Sequence, residues 1–359
     1  MLVPTAFASD KPVWTIDYKK LNLLHVDPPY RNYEVQFTPD NKIFISFMEH
    51  RYQNKLATIK TLEKSDAFFI VLLLSSGNGE LIRRIEWPII DVSVSTWRRG
   101  ADSSILPLPS GGYVGIINGH LQAFDSSLNI IHDKVLDVLE DGTHNIIVPL
   151  SGKFFILNRL NTQLNRSSEI IDSNTFDTIE RFDVPNSRIV DIWGDQLLSI
   201  SFSSDGSESR FSKKIIGDSQ WISLGVAQGE RAVARFIYNG AIIVRDSIGQ
   251  MPHIKTFWFV IEDGKKSETV FSGLGLKFPR TAPVVMTAGS LLSGIRRAFD
   301  LFSKRWLEIY DYKNHKVLLE TKRNTDIVDF AISPDGESII LMRKKKIEFY
   351  SINSKKGKR

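Results

Sequence analysis

Apolar residues fall along this chain in short runs, roughly four to eight residues each, many alternating with polar ones and separated by turn-forming clusters. The stretch from Ile327 to Ile352 shows the pattern most clearly. Val328, Phe330 and Ile332 alternate before Ser333-Pro334-Asp335-Gly336, Ile339 and Leu341 alternate after it, and a third run spans Lys346–Ile352. A period of two marks half-buried strands. The turn between them has a mechanism: Pro presets φ, Asp bonds back to the backbone, and Gly accepts positive φ. So small a unit cannot bury its own apolar face and must pack against others like it.

Such units recur. Turn anchors flanked by apolar strands fall at Asn41, Gly111, Gly152, Gly194, Gly240, Gly289 and Gly336, with successive spacings of 70, 41, 42, 46, 49 and 47 residues. All but the first match the ~40–50 residue period of propeller blades, and a polar insertion over 50–66 accounts for the long first interval. Between the anchors lie second turns with an apolar residue followed by an acid: Phe124-Asp125, Ile171-Asp172, Ile261-Glu262 and Tyr310-Asp311. An acid there caps a tight turn.

The last unit supplies three strands, and an unpaired strand over Val13–Leu24, with Trp14, Ile16 and Tyr18 on one face, would complete it. The expectation is an all-β, seven-bladed β-propeller: one domain over 9–353, its ring closed by the N-terminal strand in the last blade, followed by a basic disordered tail over 354–359. Closure removes exposed sheet edges. The blades are expected near 33–90, 103–138, 144–185, 188–224, 232–280, 283–324, and 325–353 with 13–26. Helical spacing is detectable only over Asp133–Glu140 and Ser290–Arg305. The second contains Gly294 and is read as a strand followed by an Arg-rich loop, with room for a short helix.

Ile332-Ser333-Pro334-Asp335-Gly336 and its weaker copy Phe37-Thr38-Pro39-Asp40-Asn41 resemble the turn of YVTN-type and WD40-like propeller repeats, and Ile309-Tyr310-Asp311 is similar to their outer-strand turn. Trp-Asp dipeptides are absent and Gly119-His120 is the sole Gly-His, unlike eukaryotic WD40 repeats. The resemblance implies a bacterial propeller of a kind often exported, some of them similar to the non-catalytic propeller chain of quinoprotein amine dehydrogenases. A shared fold does not transmit an activity.

Composition narrows the function. No apolar run approaches the ~20 residues of a membrane-spanning helix; the longest is Ala67–Leu74. The net charge of +5 sits at one end of the chain: from Arg343 onward eight basic residues face one acid, Glu348. Such confinement fits a lysine-protected sheet edge and a solvated tail, with a polyanion-binding tail as the alternative, and argues against nucleic acid as the partner. The chain has no cysteine, which excludes disulfides and thiolate chemistry. With Ala6-Phe7-Ala8 before Ser9-Asp10, a remnant of a signal-peptide cleavage site, this favours export to the periplasm or beyond, a cytoplasmic protein being the alternative.

None of the seven histidines (25, 50, 120, 132, 144, 253 and 315) pairs at metal-binding helical spacing, and phosphate-loop, dinucleotide and G-x-S-x-G signatures are missing. No catalytic residue, metal or cofactor is assigned. One constellation stands out. In a propeller, blade-to-blade loops and middle-strand loops share one face, and on it fall Trp97, Arg98, Arg99, His50, Arg51, His120, His144, Arg159, Arg296, Arg297 and Arg323. Arg grips carboxylates and phosphates bidentately, and Trp and Arg are enriched in binding hot spots. The competing reading pairs these arginines with Asp91, Asp102 and Asp300. The function expected is a non-enzymatic binding scaffold for a protein or small anionic ligand; the alternatives are a lactonase-type hydrolase and a subunit supporting a separate redox enzyme. Neither the partner nor the oligomeric state follows from the residues.

Overall fold

The computed structural model describes residues 11–22, 34–51, 66–89, 104–136, 142–148, 152–161, 166–183, 186–205, 207–228, 233–236, 241–248, 255–262, 265–268, 285–288, 291–297, 305–311, 316–320, 327–333 and 335–352. These form strands in seven four-stranded antiparallel sheets, with one 3-10 turn. Strand β1 (Trp14–Asp17) precedes that turn, Tyr18–Leu21. A sheet follows from β2 (Glu34–Phe37), β3 (Ile43–Arg51), β4 (Asp66–Leu74) and β5 (Leu81–Pro88), and another from β6 (Ser104–Pro107), β7 (Tyr113–Ile117), β8 (His120–Phe124) and β9 (Ile130–Val135). The third holds β10 (Gly142–Ile147), β11 (Phe154–Asn161), β12 (Arg166–Asp172) and β13 (Thr178–Phe182), and the fourth β14 (Ser187–Trp193), β15 (Gln196–Phe202), β16 (Glu208–Ile215) and β17 (Ile222–Gln228). Then come β18 (Val233–Phe236), β19 (Ile242–Ile248), β20 (Lys255–Glu262) and β21 (Lys265–Glu268), and β22 (Val285–Ala288), β23 (Leu291–Arg297), β24 (Arg305–Asp311) and β25 (Lys316–Glu320). In the seventh sheet β26 (Ile327–Ile332), β27 (Ser338–Arg343) and β28 (Lys346–Ser351) are joined by β1, in the order β1-β28-β27-β26.

Within six of the sheets the strands follow the chain, first to last, and in the seventh β1 takes the fourth place; composition follows place. A second or third strand has neighbours on both edges and apolar layers on both faces, so β7 is buried throughout and β4 is buried from Phe69 to Leu74. A fourth strand has one free edge, and β9 and β13 keep the alternating pattern instead. Each fully buried Ile, Leu or Phe removes apolar surface worth about 1.5–3 kcal/mol.

The chain divides into two compact units, residues 11–146 with 327–353 and residues 147–326. In the first, neighbouring sheets interlock through Phe44, Phe69, Ile105, Tyr113 and Phe124, with Phe44 stacked on Tyr113 at 5.1 Å. In the second, Val190, Leu198, Phe211, Phe236, Val244 and Phe259 form one such layer, and Ile156, Ile170, Ile189 and Leu197 another.

The turns behave as their residues dictate. Ser333 Oγ donates to Asp335 Oδ1 (2.5 Å), which also accepts from Glu337 N (2.9 Å), and Gly336 has φ 72°. Its copy repeats the geometry: Thr38 Oγ1 donates to Asp40 Oδ1 (2.5 Å) and Asn41 takes φ 61°. Two of the four expected acidic caps form, Asp125 Oδ1 accepting from Ser127 N and Asn129 N and Asp172 Oδ1 from Asn174 N and Thr175 N; the turns after Glu262 and Asp311 lie outside the described residues.

The N-terminal strand departs from expectation in length. It pairs with β28 (Trp14↔Phe349, Ile16↔Ile347) but ends at Asp17 rather than running to Leu24. Asp17 Oδ1 accepts from Lys19 N at 2.9 Å and starts the 3-10 turn. Tyr18 is therefore outside the strand, its hydroxyl donating to Arg343 O at 2.5 Å. The two segments with helical spacing contain strands where they are described: Asp133–Val135 lies in β9 and Leu291–Arg297 is β23, while 137–140, 290 and 298–304 lie outside the described residues.

Candidate functional site

The first strands of two sheets carry the same triplet, Ile189-Val190-Asp191 in β14 and Ile327-Val328-Asp329 in β26, and both strands shift register at this point. The shift is a bulge, which leaves ladder groups unpaired and re-aims a side chain. Asp191 Oδ2 accepts from Phe236 N of β18 at 2.8 Å, and Asp329 Oδ2 accepts from Val35 N of β2 at 3.0 Å. In each case a carboxylate of one first strand satisfies an amide of the next sheet's first strand. The residue skipped at the β14 bulge is Val190, whose carbonyl accepts from Arg235 Nη1 at 3.1 Å, while Ile189 beside it is met from the preceding sheet: Asn158 Nδ2 donates to Ile189 O (3.2 Å) and Ile189 N donates to Ser168 Oγ (3.2 Å).

Burial raises the Asp191 carboxyl above its usual range, against the pull of Arg235 at 3.9 Å and of the two amides it caps. Burial lifts Asp329 as well, to about 7, although it too accepts backbone amides. Asp329 as a residue is half-buried, but its carboxyl lies among protein atoms. The repeated triplet is the sequence signal for this device.

Other buried charges are also committed. Glu169 is 2% exposed and meets Arg159 Nη2 at 2.7 Å and Arg181 Nη2 at 3.5 Å. Glu348 is buried with Arg343 Nε, Lys346 Nζ and the Tyr350 hydroxyl at 2.6, 2.6 and 2.7 Å. Burial pushes the Glu348 carboxyl up, and those bonds outweigh it and hold the group below its usual range. Lys214 Nζ bonds Glu180 Oε1 at 2.5 Å and sits over the rings of Phe182 and Trp221 at 4.6 and 5.4 Å. Among the described residues no group of three His, Cys, Asp or Glu is placed to hold a metal ion.

The residues singled out in the sequence divide as follows. His50 and Arg51 close β3, Arg296 and Arg297 close β23, and Arg159 lies two residues from the end of β11. Each thus stands where the second strand of its own sheet enters the loop to the third. His144 is half-buried near the start of β10. His120 opens β8, its Nδ1 2.9 Å from Asp133 Oδ1. Trp97, Arg98, Arg99 and Arg323, with Asp91, Asp102 and Asp300, lie outside the described residues.

Arg159 has a partner the sequence reading did not foresee. Its guanidinium serves Glu169, on the adjacent strand and two register positions from its own cross-strand neighbour Ser167. We expect Arg159→Ala to lower stability by about 2 kcal/mol, because Glu169 stays buried and loses its shorter arginine contact, keeping the longer one to Arg181 and the Thr178 hydroxyl at 3.1 Å. Replacing the pair with Arg159→Leu and Glu169→Leu should recover most of the loss in urea unfolding. An Arg159→Ala variant as stable as the parent would make the pair energetically idle.

Four-stranded antiparallel sheets repeated in series are the blades of a propeller, and the fold belongs to that class. No protein-family model matches the chain, and no curated protein is similar to it in sequence. Its likeness is to solved structures. A chain of Kuenenia stuttgartiensis hydrazine synthase aligns at 12% identity over 89% of this chain and 94% of that one, with a TM-score of 0.53. A chain from a mitotic checkpoint complex aligns at 10% identity over 98% and 94%, with a TM-score of 0.54. Pyrococcus horikoshii acylaminoacyl peptidase aligns at 11% identity over 90% of this chain but 52% of its own length, with a TM-score of 0.56. At these identities the likeness is one of fold.

Proposed function

We propose that the protein is a non-enzymatic binding scaffold: a seven-bladed propeller in a single domain, closed by its N-terminal strand and of the YVTN-like kind, that engages a protein or small anionic ligand through one loop face, where blade-to-blade and middle-strand loops meet. One observation carries this reading. The buried carboxylates bond neighbouring sheets or strands, while His50-Arg51 and Arg296-Arg297 are delivered to the same end of their respective sheets. Buried charge builds the frame, and the basic residues placed at the strand ends are of the type that grips anionic groups. Trp97, Arg98, Arg99 and Arg323 fall in the blade-to-blade segments of the chain, which in a propeller share a face with the middle-strand loops, and export is the favoured location.

The test captures partners from extract of the source cells by cross-linking, then purifies each and titrates it against the protein. The variant Arg98→Ala/Arg99→Ala/Arg296→Ala/Arg297→Ala should bind a true partner at least about tenfold more weakly, since each lost charged hot-spot contact costs ~1 kcal/mol or more. Equal affinity of parent and variant would remove the arginines from the site.

A further inference from the structure

The basic residues of the last hairpin and those of the 3-10 turn are far apart in the sequence and side by side in the structure. Asp17 pairs with Lys346, Tyr18 N donates to Lys345 O at 3.1 Å, and the Tyr18 hydroxyl donates to Arg343 O. The buried Tyr18 thus pins Lys19 and Lys20 against the turn that holds Lys344 and Lys345.

All four of these lysines are exposed, and among the described residues none forms an ion pair. Among the described residues the carboxylates of these elements are engaged elsewhere, and Glu86, whose partner Arg84 reaches Leu21 O, is paired with that arginine at 2.8 Å. Asp17 caps the 3-10 turn, and Glu348 is buried with Arg343, Lys346 and Tyr350. Like charges so close repel one another, and nothing in the packing of exposed side chains offsets that cost. A surface that keeps them together is complementary to an acidic one.

We infer that Lys19, Lys20, Lys344 and Lys345 form a docking site for an acidic polypeptide segment, one rich in Asp and Glu. The inference rests on the binding-scaffold reading and names the partner's chemistry at the same kind of sheet end, between second and third strands. Two features select a polypeptide. Single-stranded nucleic acid is held by basic grooves interleaved with aromatic stacking platforms, and the aromatic residues here are engaged: Tyr18 is buried and Trp14 is stacked on Phe349. Firm membrane attachment needs a second, apolar signal beside the basic one, and the exposed Val13 lies at the opposite end of β1 from Lys19 and Lys20. Lysines are compact point charges on flexible stems, suited to a run of carboxylates without fixed geometry.

The experiment titrates the full chain with a short synthetic peptide rich in Asp and Glu, by fluorescence anisotropy at low and at physiological salt. Binding should weaken with salt, and at least about tenfold in Lys19→Glu/Lys20→Glu/Lys344→Glu/Lys345→Glu. The corresponding four Lys→Gln changes should give a smaller loss of binding, and because they relieve like-charge repulsion between exposed side chains the Gln variant should melt at or slightly above the parent. A control reverses four charges in the tail, Lys355→Glu, Lys356→Glu, Lys358→Glu and Arg359→Glu, and should bind as the parent does. An equal loss in that control would reduce the effect to net charge and overturn the inference. No peptide binding, or tighter binding to phosphatidylserine vesicles or a single-stranded oligonucleotide, would also overturn it. Peptide binding lost in the arginine variant but kept in the lysine variant would refute this site and leave the scaffold reading standing.

Discussion

Asp329→Asn should remove a pH dependence of stability amounting to about 4 kcal/mol between pH 4 and pH 8. The carboxyl titrates at 3.8 in an ordinary setting and at about 7 in the fold, with burial the main cause. A folded state that holds the proton more tightly than the unfolded chain is favoured while the group is protonated. That contribution is complete below the unfolded value, falls as pH rises between the two values, and is gone above the folded one; each pH unit in the window costs ~1.4 kcal/mol. The Asn amide oxygen can still accept from Val35 N, as Asp329 Oδ2 does at 3.0 Å, so the variant should match the parent near pH 4 and exceed it at pH 8. Urea unfolding of both proteins across that range is the measurement. Parallel curves would show that Asp329 titrates as an ordinary carboxylate.

Trp14→Ala should cost about 3 kcal/mol, the low end for losing a large aromatic. The indole stacks on Phe349 with ring centroids 5.3 Å apart and planes 10° from parallel. Its Nε1 donates to Ser76 O at 2.8 Å. Its far edge lies against Gly79, where φ is +75° and an added Cβ would come within 2.9 Å of the ring. The side chain therefore joins β1 both to β28 and to the turn between β4 and β5. Trp14→Phe keeps the stacking and loses the hydrogen bond, and should cost about 1 kcal/mol. Hydrogen exchange would localise the damage: the amides of β28 should lose protection in the Ala variant before those of β26. A loss below about 1 kcal/mol for Ala would mean that β1 is an ornament on a sheet already stable without it.

Much of the fold was legible because its information is local. Alternation and turn chemistry act over a few residues, so the turns at Asn41, Gly111, Gly152, Gly194 and Gly336 fall between first and second strands as read, all at positive φ. The strand groups also follow the expected spans closely, from Glu34–Pro88 to Ile327–Ser351 with Trp14–Asp17. The end of β1 was missed because Asp17 capping Lys19 N is a two-residue event inside an otherwise strand-like pattern.

The candidate site was less legible, since charge in a sequence does not disclose its partner. Arg159 read as a ligand-binding cation, or as one paired with Asp91, Asp102 or Asp300, yet it sits beside a buried Glu169 ten residues away. Arg343 read as part of a solvated basic edge, yet its side chain is 8% exposed and salt-bridged to Glu348.

The order of apolar and polar residues along this chain was enough to dictate strands, turns and their grouping into repeated sheets, because those follow from φ/ψ preference and from which face of a strand must leave water. Which charges became struts and which stayed in solvent was settled by contacts between residues as distant as Val35 and Asp329, or Tyr18 and Arg343. A carboxylate's role depends on the dielectric and the donors around it, and those exist only after the sheets have packed.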